Sequence, residues 1–239
     1  MFIKASIRLP GSKLSTFSIP VKSRIVEPEI LDSLPQDHSD AISNRKDILL
    51  INQLQGSYQW IAQQLSEHIN ALESIIELGA GAGDLGSYLV KKKILDPAKH
   101  HYTGLDLWKR PDYWAREWNW VQEDMTRFND YSSTPVVLGN LIIHQFEDVV
   151  LNLLGERLNA HAKLIIINEP LRSRIGLLGL HILRLKGLNY VTLNDGAISI
   201  RAGFRRGELP ALLNLSNRDW LIEERETMLG CYRMVALRK

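Results

Sequence analysis

From Glu77 to Gly86 the chain reads Glu-Leu-Gly-Ala-Gly-Ala-Gly-Asp-Leu-Gly. Glycines this dense let a backbone turn sharply and let a ligand approach the main chain with no Cβ in the way. Two registers fit. Gly81, Gly83 and Gly86 match the dinucleotide pattern G-x-G-x-x-G, whereas Glu77 followed by Gly79, Gly81 and Gly83 gives an acid before G-x-G-x-G. The apolar run Ile75-Ile76-Glu77-Leu78 stops at Leu78, so the turn begins at Gly79, and in that register the third glycine of a dinucleotide loop is replaced by Asp84. An acid at the strand end repels a pyrophosphate and suits a ligand carrying an ammonium group. Asp106 lies 23 residues after Gly83, where an acid hydrogen-bonds both hydroxyls of a ribose. Asp and Glu also close strands as solvated turn residues, but this pair around a glycine loop points to an adenosine ligand.

These residues need strands that end together. Ser74–Leu78, His101–Leu107, Trp118–Val121, Thr134–Leu138 and Lys163–Ile167 read as strands, the last β-branched and buried on both faces. Helical periodicity covers Asp40 to Leu54, is broken at Gly56-Ser57, and resumes through Trp60, Ile61, Leu65 and Ile69. Leu85–Lys93, Phe146–Leu158 and Glu208–Leu215 are further helices. Alternating strands and helices predict a parallel, doubly wound sheet. Trp220–Thr227 and Tyr232–Leu237 are too closely spaced for a crossover helix, so they must be antiparallel neighbours.

The chain has 239 residues, 45% of them hydrophobic and 23% charged, which fits one globular domain rather than disorder. The single cysteine, Cys231, excludes an internal disulfide. The seven histidines show no metal-ligand spacing, so no metal is expected. No apolar run reaches the length of a membrane span. The net charge of +2 opposes nucleic acid as the main partner, and it is a cancellation: residues 1–26 hold five basic residues and no acid, leaving −3 for the rest. Residues 1–27 are read as a basic arm and 28–239 as one domain, with a cytoplasmic location. Trp108, Trp114, Trp118 and Trp120 are read mainly as packing residues, because Asp112 and Glu117 answer the nearby cations.

With its E-x-G-x-G-x-G loop, its acid at the second strand end and its closing antiparallel hairpin, the sequence resembles class I S-adenosylmethionine-dependent methyltransferases, over roughly residues 40–239. The resemblance implies an α/β, Rossmann-like, doubly wound seven-stranded sheet with its last strand antiparallel, N-terminal helices and a helical cover insert over residues 171–204. It implies S-adenosyl-L-methionine as cofactor. Glu77, Gly79, Ala80, Gly81 and Gly83 would hold the methionine end, Asp106 the ribose, and Leu107, Asp124 and Met125 the adenine. Asn140 would lie beside the methionine moiety, and Arg45 would meet the donor carboxylate. His144-Gln145-Phe146, Arg172-Ser173, Asp195-Gly196, Ser199-Ile200-Arg201 and Phe204 are similar to bacterial small-molecule methyltransferases, with Gln145 in place of a second histidine.

Methyl transfer needs a base only when the acceptor loses a proton. His144 follows strand four and titrates near neutrality, which makes it the first candidate; Glu169 is the second. Arg172, Arg201, His144 and His181 are the candidate substrate contacts. The Leu- and Ile-rich cover predicts a small hydrophobic acceptor methylated on O or C rather than N. The same helix could pack on the sheet edge or on a second subunit of a homodimer. The alternatives are a nucleic-acid or protein methyltransferase, an NAD(P)-dependent oxidoreductase using the Gly81–Gly86 register, and a non-catalytic relative. The strand-four text Gly139-Asn140-Leu141-Ile142 lacks the Asn/Asp-Pro-Pro-aromatic motif of base methylation.

Overall fold

The computed structural model describes residues 23–35, 37–69, 73–185 and 187–239, so most of the basic arm lies outside the described residues. In chain order the elements are α1 (Ser39–Gln55), α2 (Ser57–His68), β1 (Ile75–Leu78), α3 (Asp84–Lys91), β2 (Tyr102–Asp106), β3 (Asn119–Gln122), β4 (Val136–Asn140), α4 (Asp148–His161), β5 (Leu164–Pro170), α5 (Arg174–Arg184), α6 (Tyr190–Ala202), α7 (Glu208–Leu212), β6 (Trp220–Glu226) and β7 (Cys231–Arg238). Gly56, at φ 62°, separates α1 from α2, as its sequence position predicts.

The seven strands form one sheet in the order β3-β2-β1-β4-β5-β7-β6. The first five are parallel. β7 runs antiparallel to β5 and to β6, and the second pairing follows from the short Thr227–Gly230 connection. The sheet is doubly wound with its last strand antiparallel, as expected.

Period-two alternation sends neighbouring side chains to opposite faces. Ile75, Val136, Leu138 and Leu164 pack with Ile61, Leu65, Leu85 and Leu89 of α2 and α3. Ile76, Val137, Ile165 and Ile167 pack with Leu151, Leu154 and Leu158 of α4 and with Leu209 of α7. Each such side chain removed from water contributes roughly 1.5–3 kcal/mol. Every residue of β5 is buried. Trp114 and Trp118 are buried against Tyr102, with ring centroids 5.6 and 4.6 Å away, so these two tryptophans close the core over β2.

Strand order reverses between β1 and β4. Connections leave these two strands in opposite directions, which opens a crevice at their C-terminal ends. The glycine loop, the end of β2 and the turn after β4 all border that crevice.

Candidate active site

The crevice deepens into a cavity of about 870 Å³. One end is walled by Glu77, Gly79–Ala82, Asp106–Trp108 and Asp124–Met125 with Arg45 of α1, and the other by further residues of α1, by α5 and α6, and by the turn holding His144.

Gly79, Gly81 and Gly83 all take left-handed φ, at 63°, 56° and 77°. Their surroundings differ. A Cβ on Gly79 would lie 2.4 Å from Ile142 Cγ1, and one on Gly83 would lie 2.7 Å from Trp114, but one on Gly81 would meet nothing within 4 Å. Gly79 and Gly83 therefore let the loop pack, while Gly81 leaves its backbone open to the cavity. Gly86 sits inside α3, where a Cβ would lie 3.0 Å from Trp114. Its place in the dinucleotide pattern reflects this helix contact rather than a phosphate site.

Glu77 is buried, and the Tyr102 hydroxyl donates to its Oε2 at 2.8 Å. Burial pushes its carboxyl up to about 8; the Tyr102 bond pulls the other way, and Asp106 and Asp84 add to the rise. A cation beside Glu77 would reverse that balance. Asp106 Oδ2 accepts the Gly81 amide at 2.7 Å, and Oδ1 accepts the Trp108 amide at 2.8 Å. A carboxylate offers about four acceptor sites, so Asp106 keeps acceptor capacity beyond its backbone donors, among them the Leu107 amide. Burial raises the Asp106 carboxyl above its ordinary value, against its backbone donors.

Leu107 is 67% exposed at the cavity edge. Met125 is buried, and Asp124 Oδ1 accepts both the amide and the hydroxyl of Thr126. Arg45 of α1 lies over the Trp108 ring, 4.9 Å from its centroid, and its charge opposes the upward shift that burial gives Asp84. Asn140 is locked by two amides. Its Nδ2 donates to Asn52 Oδ1 at 3.1 Å, and its Oδ1 accepts from Asn168 Nδ2 at 2.9 Å. The structure thus brings Arg45, Glu77, Gly79, Ala80, Gly81, Asp106, Leu107, Asp124, Met125 and Asn140 to one cavity wall, with Gly83 packed behind it.

At the other end, His144 sits in a 3-10 turn directly after β4 and is buried. Its Nδ1 lies 2.6 Å from Glu169 Oε2. Its Nε2 has no hydrogen-bond partner among the described residues, and Glu29 Oε1 lies 3.5 Å away. Burial alone would lower the His144 pKa, but the charges of Glu169 and Glu29 outweigh it and raise it to about 9. Glu29 is held by the Ser199 hydroxyl at 2.5 Å and the Gln145 amide at 3.2 Å. Burial would raise Glu29; His144, Ser199 and Gln145 bring it below its ordinary value.

Four expectations change. Glu169 does not reach the cavity as a base. Its Oε1 accepts the Ile142 and Ile143 amides at 3.0 and 2.9 Å, and its Oε2 accepts the His144 amide and ring, so its acceptor sites are full. Arg172 is buried away from the cavity, where it pairs with Glu208 and donates to Gly203 O at 2.8 Å. Arg201 pairs with Glu27 instead of lining the cavity. His181 is exposed on α5, also outside the lining.

The N-terminal segment holds residues that local sequence reading missed. Arg24 belongs to the folded body: it donates to Ala202 O, His144 O and Phe146 O and pairs with Asp148 at 2.7 Å. The Ile30 and Leu31 amides both donate to Asp195 at 2.9 Å, which seats Glu29 beside His144. Asp195-Gly196 was a visible signal; Glu29 had none, since its partner lies 115 residues on. Among the described residues, no group of three His, Cys, Asp or Glu could hold a metal ion. No described helix is long and apolar enough to cross a membrane.

This topology, with a glycine loop after β1 and an acid ending β2, is the Rossmann-like fold of class I methyltransferases. Solved structures with the same fold include the plantazolicin methyltransferase BpumL in complex with SAH. It is 14% identical, with a TM-score of 0.62, covering 85% of this chain and 91% of that one. The plantazolicin methyltransferase BamL, in complex with a triazolic desmethylPZN analog and SAH, is 10% identical with a TM-score of 0.66, covering 87% and 92%. The CMeT domain of the citrinin polyketide synthase is 13% identical with a TM-score of 0.51, covering 77% and 52%. No protein-family model and no curated protein matches the sequence.

Proposed function

We propose that this protein is an S-adenosylmethionine-dependent methyltransferase acting on a small, largely apolar acceptor through an oxygen or an acidic carbon. The observation that carries this reading is the juxtaposition, on one cavity wall, of the buried Glu77, the open Gly81 backbone and the Asp106 carboxylate. Glu77 offers a negative charge to the donor's ammonium. Asp106 offers its remaining acceptor capacity to a ribose, Leu107 and Met125 give the adenine apolar walls, and Asp124 accepts from its amino group. Arg45 faces the donor carboxylate. Asn140, fixed between Asn52 and Asn168, keeps the floor of the site rigid.

When bound, S-adenosylmethionine supplies a methyl group on a sulfonium, already activated for displacement, so much of the protein's part is positioning. At the acceptor end, His144 carries its proton at neutral pH. Its Nε2–H holds the acceptor oxygen, and Glu29 takes the acceptor's proton as the methyl group arrives. Glu169 is a positioning residue: it fixes the 142–144 turn and the ring of His144. The apolar side chains of α5 and α6 that border the cavity, Ile175, Leu180, Leu183 and Ile200, favour an apolar acceptor.

The test is incubation with methyl-labelled donor and a panel of phenols, polyketide-like enols and quinols. Label that moves into solvent-extractable product supports the reading, and its loss in Glu29→Gln supports the proton route. Label recovered only in protein or nucleic acid would replace it with the macromolecular alternative.

A further inference from the structure

Between its terminal arginines α5 carries Leu, Ile and Gly with one histidine, the exposed His181 beside the stripe, and none of its residues is buried. Ile175, Leu178, Ile182 and Leu185 fall at spacings of three and four, so they form one stripe, and they are 72%, 55%, 54% and 81% exposed. The opposite side of the helix is occupied: Leu180 packs on Gly196, and Gly176 lies against Ile200. The stripe does not end with the helix. The tip of the β6–β7 hairpin carries Met228 and Leu229, both exposed, and meets α5 where Gly230 approaches Gly176. The same tip is tied to the end of α1 by the Gln55 amide on Leu229 O, beside the exposed Leu54. Ile175, Ile182, Met228, Leu229 and Leu54 also line the cavity, so this exposed apolar rim borders its mouth.

The charge of the segment has one sign. From Pro170 to Asn194 the sequence holds Arg172, Arg174, Arg184 and Lys186 and no acid. Arg172 is used internally, but Arg174 and Arg184 are exposed at the two ends of the stripe. The first 22 residues add Lys4, Arg8, Lys13 and Lys22, again with no acid. An apolar face flanked by arginines matches the interfacial region of a bilayer: the chains take Leu and Ile, and anionic headgroups take the guanidinium groups.

We propose that α5 and the 227–230 hairpin tip dock this protein onto an anionic lipid bilayer, with the cavity mouth facing the membrane. An acceptor with a lipid-like tail then passes into the cavity without crossing water. The docking site stands on the exposed rim; only its use for acceptor delivery rests on the methyltransferase reading.

Flotation of the full chain with phosphatidylcholine vesicles, with and without phosphatidylglycerol, tests the docking. Binding is expected with phosphatidylglycerol, weakening as salt screens the headgroups. The double variant Leu178→Glu/Leu185→Glu, which leaves the cavity lining intact, is expected to lower the bound fraction about tenfold or more. SAH affinity in the same samples reports folding, and Arg174→Gln/Arg184→Gln repeats the test without touching an apolar residue. No flotation by the wild type, or undiminished flotation by both variants, overturns the proposal. So does light scattering that shows a wild-type dimer split by the leucine variant, because the stripe would then be covered by a second copy. Vesicle binding without SAH binding would sink the methyltransferase reading and leave the docking intact.

Discussion

Replacing Glu169 by Gln changes few atoms at the centre of the 142–144 turn. The carboxylate receives three backbone amides and the ring of His144, all between 2.6 and 3.2 Å. A glutamine carbonyl serves about two of those donors, and its NH₂ then faces the other two. Each buried donor left unpaired costs about 1–3 kcal/mol, so the variant should lose roughly 2–6 kcal/mol of the 5–15 typical of a domain. The substitution also removes the charge that contributes most to raising His144. The wild-type His144 pKa, near 9 when folded against about 6.5 when unfolded, contributes stability that is complete below the unfolded value. That stability is lost as pH rises through the folded one. Denaturant titration at several pH values, with ¹⁵N shifts of the histidine rings, reads both effects. His144 should stay protonated at pH 8 in the wild type and lose its proton well below that in Glu169→Gln. A destabilisation under about 1 kcal/mol with His144 still protonated would refute the reasoning.

Three further outcomes are expected. Ligand binding near pH 7 should release part of a proton, because an ammonium beside Glu77 lowers a carboxyl now near 8; calorimetry in buffers of different ionisation enthalpy measures it, and no buffer dependence argues against the contact. Gly79→Ala should unfold the loop or greatly lower Tm, since its Cβ meets Ile142 at 2.4 Å, whereas Gly81→Ala should cost about 1 kcal/mol of backbone strain and mainly weaken ligand binding. Asp106→Asn should weaken SAH binding about 100-fold, the equivalent of two ribose hydrogen bonds to a charged acceptor, and a change under about threefold would remove Asp106 from the ribose.

The glycine-loop wall of the cavity, proposed above as the donor end, was legible as a grouping of residues because it is local. Glu77, the three loop glycines and Asp106 lie at strand ends marked by β-branched runs, and strand ends fix where such residues meet. The closing hairpin was legible because Met228 to Cys231 leaves no room for a crossover. The grouping around His144 was not, because it is assembled across the chain. Glu29 gains its meaning from His144 and Ser199, and Arg24 from carbonyls more than 100 residues away. Arg172 and Arg201 look like substrate contacts until Glu208 and Glu27 are seen beside them. Glu169 resembled a base because sequence shows an acid after a strand, but not the four donors that occupy it. The exposed stripe of α5 was likewise unreadable, since periodicity marks an apolar face without saying what it faces.

Titration of the wild-type protein with SAH by calorimetry tests the central claim most directly, with NADH titrated in parallel. The structure predicts one SAH bound per chain through the Glu77–Asp106 wall and no heat with NADH. Binding of NADH, or silence with SAH from a folded protein, would contradict it.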